Sequence, residues 1–129
     1  RRLFVDYLRD YARSENKTVF LTSHIIQDME RLIDDCIIMD YGSILIQQPI
    51  ETLMKELRRY TCTVPEGYQP QLPATCYHPA VLRQTLETYS FLPPMDVEKL
   101  LKESQVPFTG LQHENVSLED AFIGLTGKY

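Results

Sequence analysis

The spacing of apolar residues predicts alternating helices and strands in the first part of the chain. Residues 3–14 carry apolar side chains at helical intervals with charged residues between them, which indicates an amphipathic helix. Residues 18–22 form a run of β-forming residues without alternation, a pattern typical of a strand covered on both faces. A second helical stripe occupies residues 25–34, and Ser23 stands where it can cap that helix. We therefore expect helix, strand and helix in this order.

A hairpin and a further helix follow. Cys36–Met39 is apolar and predicts a second buried strand, the turn-forming residues 40–43 come next, and Ile44–Gln47 returns as the partner strand. Residues 50–57 then carry the apolar stripe of a short helix. This order of elements is that of the end of an α/β unit, which we expect to cover residues 1–59.

Residues 60–129 differ in composition, since most of the prolines lie there and divide the segment into short pieces. Ser117 and Asp120 form a capping box that predicts a last helix, and Gly127 closes it. We expect a small α+β module over residues 60–129. Its other predicted elements are strands at Thr61–Val64, Thr75–Tyr77 and Val106–Leu111, and helices at residues 80–89 and 95–104.

Composition narrows the class of protein. Of the 129 residues 43% are apolar and 24% charged, as in a soluble globular protein, and the net charge of −5 gives no attraction to nucleic acid. The three cysteines show no C-x-x-C spacing, which favours free thiols over a metal site. No apolar run is long enough to cross a bilayer. The chain opens with Arg1-Arg2 directly before the helical pattern, so we interpret it as a piece of a longer protein.

His24 is the main candidate for chemistry, because it follows a predicted buried strand and precedes a helix. In open α/β sheets this junction is where ligands bind. One interpretation is a helix-start residue whose ring nitrogens are satisfied by the backbone. The other is a phosphate ligand, since free backbone N–H groups and the positive helix end already favour an anion and the imidazole adds a donor. Position alone does not choose between them.

The residues around His24 resemble a known family. The run TVFLTSH, the acidic residues Asp28, Glu30 and Asp34, and the run IIMDYGSIL resemble the histidine-switch segment of ABC-transporter ATPases. The likeness extends over about Leu3–Leu57. The closing SLEDAFIGLTG, residues 117–127, is similar to the last helix of ATP-binding subunits of ABC-2-type exporters.

This resemblance implies a fold and a role for each site residue. The fold would be the C-terminal portion of a P-loop NTPase domain followed by the α+β accessory module. His24 would be the switch histidine that contacts the γ-phosphate of ATP, with Ser23 as its neighbour in the nucleotide site. The intact parent would be an ATPase that uses ATP and Mg²⁺ to power transport. It would bind a transmembrane permease subunit and a second ATP-binding subunit on the cytoplasmic face of the membrane.

The chain departs from the family by what it lacks. It has no G-x-x-x-x-G-K-[ST] phosphate loop (Walker A), no signature sequence and no apolar strand that ends in Asp-Glu (Walker B). We therefore expect this chain alone to bind no ATP or Mg²⁺ and to be inactive. Asp35 also stands where the family commonly has arginine.

Two further expectations concern association and the remaining histidines. The edges of the strand at residues 18–22 need partners, so we expect the isolated chain to self-associate. His78 and His113 are expected to be solvent-facing loop residues. The alternative to the ATPase interpretation is a non-enzymatic regulatory or dimerisation module with a superficial likeness to it.

Overall fold

The computed structural model describes residues 2–22, 26 and 29–127. They form two compact units, Arg1–Glu51 and Thr52–Tyr129. The architecture is mixed α/β, with a two-stranded and a four-stranded sheet that are both antiparallel. No helix among the described residues is long and apolar enough to cross a membrane.

The first unit contains a helix and a hairpin where the sequence predicts them. Helix α1 is Arg2–Ser14, strand β1 is Asp35–Asp40, and strand β2 is Ser43–Pro49. Tyr41 and Gly42 both have positive φ, 49° and 76°. Positive φ at both central residues defines the two-residue turn whose twist matches that of an antiparallel hairpin.

The hairpin has two unlike faces, because side chains alternate along a strand. Cys36 and Ile38 of β1 are buried, as is Ile46 of β2. Ile37 and Met39 point the other way and are 42% and 58% exposed. This second face is apolar and open to solvent.

The prediction of a strand at Thr18–Thr22 is wrong. These residues belong to no strand and all are exposed, with Phe20 at 82%. A strand needs a neighbour to satisfy its backbone N–H and C=O groups, and no described strand pairs with this segment. The predicted helix over residues 25–34 is described only in part, and there Met29–Arg31 forms a single 3₁₀ turn.

Helix α2, Ile50–Glu56, leads into the second unit, which is built on four antiparallel strands in the order β4-β5-β3-β6. Helices α3 and α4 complete the unit. The remaining bounds are Arg58–Thr63 for β3, Tyr77–Leu82 for β4, Thr85–Ser90 for β5, Pro94–Glu103 for α3, Thr109–Asn115 for β6 and Leu118–Thr126 for α4.

The two helices of this unit cover opposite faces of the sheet. Val97 and Leu101 of α3 pack in one core cluster with Tyr60 of β3 and Leu86 of β5. Tyr89 is on the other face, and there it lies against Gly124 of α4. Burial of both sheet faces gives this unit the larger share of the hydrophobic core.

The helix predicted at residues 95–104 is confirmed as α3, and the local signals for α4 are confirmed as well. Pro94 opens α3 at a position where proline costs no helical hydrogen bond. The Ser117 hydroxyl accepts a hydrogen bond from the backbone N–H of Asp120, and Gly127 ends α4 in the left-handed region at φ 73°. The Ser117 cap and the terminating glycine therefore fix the bounds of α4.

The prediction of a helix over residues 80–89 is wrong, because this segment is the hairpin of β4 and β5. Its apolar residues fit helical spacing, but pairing with β3 satisfies the backbone of β5 and buries Leu86 and Tyr89 on its two faces. The strand predicted at Val106–Leu111 forms further along the chain as β6, whereas Val106 itself packs in the core.

Candidate functional site

The predicted site residues Ser23 and His24 lie outside the described residues. The contact between His24 and a γ-phosphate therefore stays a prediction. The segment before them, Thr18–Thr22, is exposed, and Ile26 after them is half-buried.

Asp35, predicted to stand where the family commonly has arginine, is the first residue of β1. Its side chain is exposed, and it stands opposite Pro49 at the open end of the hairpin. The preceding Asp34 accepts a backbone hydrogen bond from the N–H of Ile50 at 2.9 Å. The hairpin is therefore paired up to Asp35, which places a negative charge at its open end.

The described part of the chain contains no group of three or more His, Cys, Asp or Glu side chains that could hold a metal ion. The three cysteines are free and buried, at positions 36, 62 and 76. Burial raises the pKa of each thiol. Since the thiolate is the nucleophile, these buried thiols are unsuited to covalent catalysis.

His78 and His113 are exposed, as predicted, but they lie in strands and not in loops. His78 in β4 has a positive φ of 44°, and its ring lies beside Gly127. The ring of His113 in β6 lies 5.9 Å from that of Tyr60 on the neighbouring strand. Both contacts are packing contacts.

A shallow cleft on the second unit is lined mainly by apolar atoms from Thr75, Tyr77 and residues 90–92. Its serine is engaged, because the Ser90 hydroxyl donates to the carbonyl of Thr75 at 2.8 Å and accepts from the N–H of Leu92 at 3.1 Å. Without a base beside that hydroxyl, the cleft holds no nucleophile–base pair.

Arg59 interacts with side chains on both strands that flank β3. A hydrogen bond with Tyr89 raises the pKa of Arg59, burial opposes this, and the ion pair with Glu114 adds to the increase. The guanidinium donates to Oε1 of Glu114 at 2.8 Å. These contacts join β3 to its neighbours β5 and β6, so we assign Arg59 to holding the sheet together.

Comparison with known proteins identifies two similar sequences, and no protein-family model matches the chain. The chain is 32% identical over 139 aligned positions to the Nod factor export ATP-binding protein I of Ralstonia nicotianae, an alignment that covers 99% of this chain and 42% of the relative. It is 34% identical over 53 positions to the bacitracin transport ATP-binding protein BcrA of Bacillus licheniformis, covering 41% of this chain and 17% of that relative.

These relatives confirm the resemblance to ATP-binding proteins of ABC transporters. The first alignment includes both units, so the likeness is not confined to the segment around residue 24. The chain spans less than half the length of either relative.

Proposed function

We propose that this chain is part of the ATP-binding subunit of an ABC transporter and that it supplies the γ-phosphate-sensing histidine, His24. The observation that carries the proposal is the alignment with the Nod factor export protein, which spans nearly the whole chain. The motif order around His24 supports the same assignment from the residues alone.

In this proposal residues 1–59 are the C-terminal portion of a P-loop NTPase domain, and residues 60–129 are an accessory module. The open apolar side of the β1–β2 hairpin and the exposed segment 18–22 support it, because both are apolar surfaces suited to packing against further protein. Phe20 and Met39 are the most exposed apolar side chains of these two surfaces.

The chemistry of the intact subunit follows from the charge that phosphoryl transfer places on the γ-phosphate. Bound ATP and Mg²⁺ supply the transferable phosphoryl group and part of its neutralisation. His24 would donate an imidazole N–H to a γ-phosphate oxygen, and Ser23 would place that ring at the start of the helix. A directed donor to a charge that grows in the transition state lowers the barrier without tighter ground-state binding.

The partners and location follow from the same assignment. A second ATP-binding subunit would complete the nucleotide site, and a permease subunit would hold the protein at the cytoplasmic face of the membrane. The relative named for export and the exporter-like closing helix at residues 117–127 support the export direction.

ATP binding is expected to differ between the 129-residue chain and the intact subunit. We expect the 129-residue chain to bind no ATP with Mg²⁺ in isothermal titration calorimetry, because it has no phosphate loop. We expect the intact protein both to bind ATP and to hydrolyse it. An intact protein that binds ATP but does not hydrolyse it would refute the catalytic assignment.

Self-association of the chain through residues 18–22 is part of the proposal. Val19, Phe20 and Leu21 are all exposed, and burial against a second copy would remove apolar surface from water. Phe20→Ser should lower the weight-average mass in light scattering at high protein concentration, whereas Lys17→Ser should not. A monomeric wild type at high concentration would contradict this part of the proposal.

A further inference from the structure

Strand β6 is an edge strand with an open side. Among the described strands it pairs only with β3, and six of its seven residues are exposed. The other edge strand, β4, carries Pro79 and lies against α4. Proteins protect exposed edges with prolines, lysines, bulges or covering elements. Strand β6 contains no proline or lysine, and its bulge at Gly110 leaves residues 112–115 in regular pairing with β3.

The backbone groups of β6 that point away from β3 can be identified from the register. The N–H of Val64 donates to the carbonyl of Gln84 at 2.8 Å, so these two residues form a hydrogen-bonded pair. Hydrogen-bonded and non-hydrogen-bonded pairs alternate along an antiparallel ladder, so Tyr60, four residues before Val64, also forms a hydrogen-bonded pair with β5. The backbone N–H and C=O of Tyr60 therefore point to β5, and those of Thr61 point to β6.

It follows which residues of β6 face outward. Thr61 pairs with Gln112 and Arg59 pairs with Glu114, so the backbones of Gln112 and Glu114 are occupied by β3. The N–H and C=O of the intervening His113 point to the open side. At His113 this edge therefore presents a backbone donor and a backbone acceptor that β3 does not use.

We infer that β6 pairs antiparallel with β6 of a second copy, with His113 opposite His113 on a two-fold axis. An outward-facing residue can pair only with another outward-facing residue, and this leaves few symmetric registers. A register centred on Glu114 would place two carboxylates directly opposite, which is unfavourable. A register centred on Gln112 would place Glu114 opposite Gly110, at the bulge where φ is 65°.

The register centred on His113 avoids both problems. It pairs residues 111–115 with themselves, leaves Gly110 outside the pairing, and places Gln112 opposite Glu114 of the second copy, where the amide can donate to the carboxylate. Each copy contributes its four-stranded sheet, and the two sheets become continuous. The inference uses the second unit alone and does not depend on the proposed ATPase function.

Cross-linking tests the register directly. In the predicted dimer the two Cα atoms of residue 113 lie about 5.5 Å apart, a separation that a disulfide can bridge. Under mild oxidation we expect His113→Cys to give disulfide-linked dimers, and Thr85→Cys, exposed at the end of β5, to give few. The unsubstituted chain sets the baseline, since its three cysteines are buried. Equal yields from the two variants would overturn the inference.

The Phe20→Ser background separates this contact from association through residues 18–22. The His113→Cys disulfide should form equally well there, because β6 belongs to the other unit. Loss of the cross-link in that background would assign it to the first unit and overturn the inference.

A proline at residue 113 tests the backbone contact by sedimentation equilibrium in the same background. His113→Pro removes the outward N–H and keeps the ladder to β3, so the association constant should fall about tenfold or more as two intermolecular hydrogen bonds are lost. His113→Ala keeps the N–H and should still associate. Circular dichroism checks that both variants fold, and equal association by the two would contradict the inference.

Discussion

Gly124 of α4 lies against the ring of Tyr89, so closely that a Cβ at residue 124 would be 2.4 Å from Cδ2 of that ring. Tyr89 is buried at 6% exposure and is held by Arg59, so the ring has little room to move. This contact sets how near α4 lies to the sheet.

Gly124→Ala should therefore destabilise the protein. Alanine in a helix normally gains about 0.5–1 kcal/mol over glycine, but overpacking a filled core costs about 1–3 kcal/mol, and here the clash is with a buried ring. Urea unfolding should show a lower midpoint than wild type. In the Tyr89→Ala background the same substitution should cost nothing or stabilise. If the Gly124→Ala variant were as stable as wild type, α4 would be able to move away from the Tyr89 ring, which would contradict this prediction.

The cap of α4 gives a second prediction. The Ser117 hydroxyl satisfies the N–H of Asp120 at 3.1 Å, and Ser117→Ala should cost about 1 kcal/mol in the free energy of unfolding. Ser117→Asp keeps an acceptor and adds a charge that favours the helix N-terminus, so its stability should stay near that of wild type. An alanine variant as stable as the aspartate variant would show that water replaces the cap.

Tyr60 makes stability depend on pH in the alkaline range. Its neutral hydroxyl donates to the carbonyl of Leu92 at 2.6 Å, and burial raises the pKa of Tyr60. Because the pKa of Tyr60 is higher in the folded state, its contribution to the free energy of unfolding is complete below the unfolded pKa of about 10. That contribution is lost as pH rises through the folded pKa.

The comparison with Tyr60→Phe isolates this effect from other alkaline groups. The variant should be less stable than wild type at pH 8, because the Leu92 carbonyl loses its donor. The difference should shrink as pH rises above about 10, because ionisation of Tyr60 in the unfolded chain then favours unfolding of wild type. A constant difference in chemical denaturation over this range would contradict the assignment.

The structure shows why some elements could be predicted from the sequence. Helix α4 is bounded by the Ser117 cap and Gly127, and the first hairpin by the turn at Tyr41–Gly42, which are local signals. The β4–β5 hairpin has no such signal, because its turn at Arg83–Gln84 contains no glycine or asparagine although Arg83 has φ 58°.

Other features depend on partners that no local pattern reveals. The polar strand β6 forms through its register with β3 and not through β-propensity, so it was predicted too early in the chain. The Thr18–Thr22 segment has the propensity but no paired neighbour among the described strands. The candidate site rests on the sequence alone, because the resemblance to a known family singles out His24 and this residue lies outside the described part of the chain.

The most direct test of the account is ATP turnover by the intact protein carrying His24→Ala. Loss of a directed donor to the developing charge should lower kcat by about a hundredfold or more, while ATP affinity stays within a few-fold of wild type. His78→Ala, a change at an exposed strand residue, should leave kcat unchanged. Wild-type turnover in the His24→Ala protein would contradict the assignment of His24 as the γ-phosphate sensor.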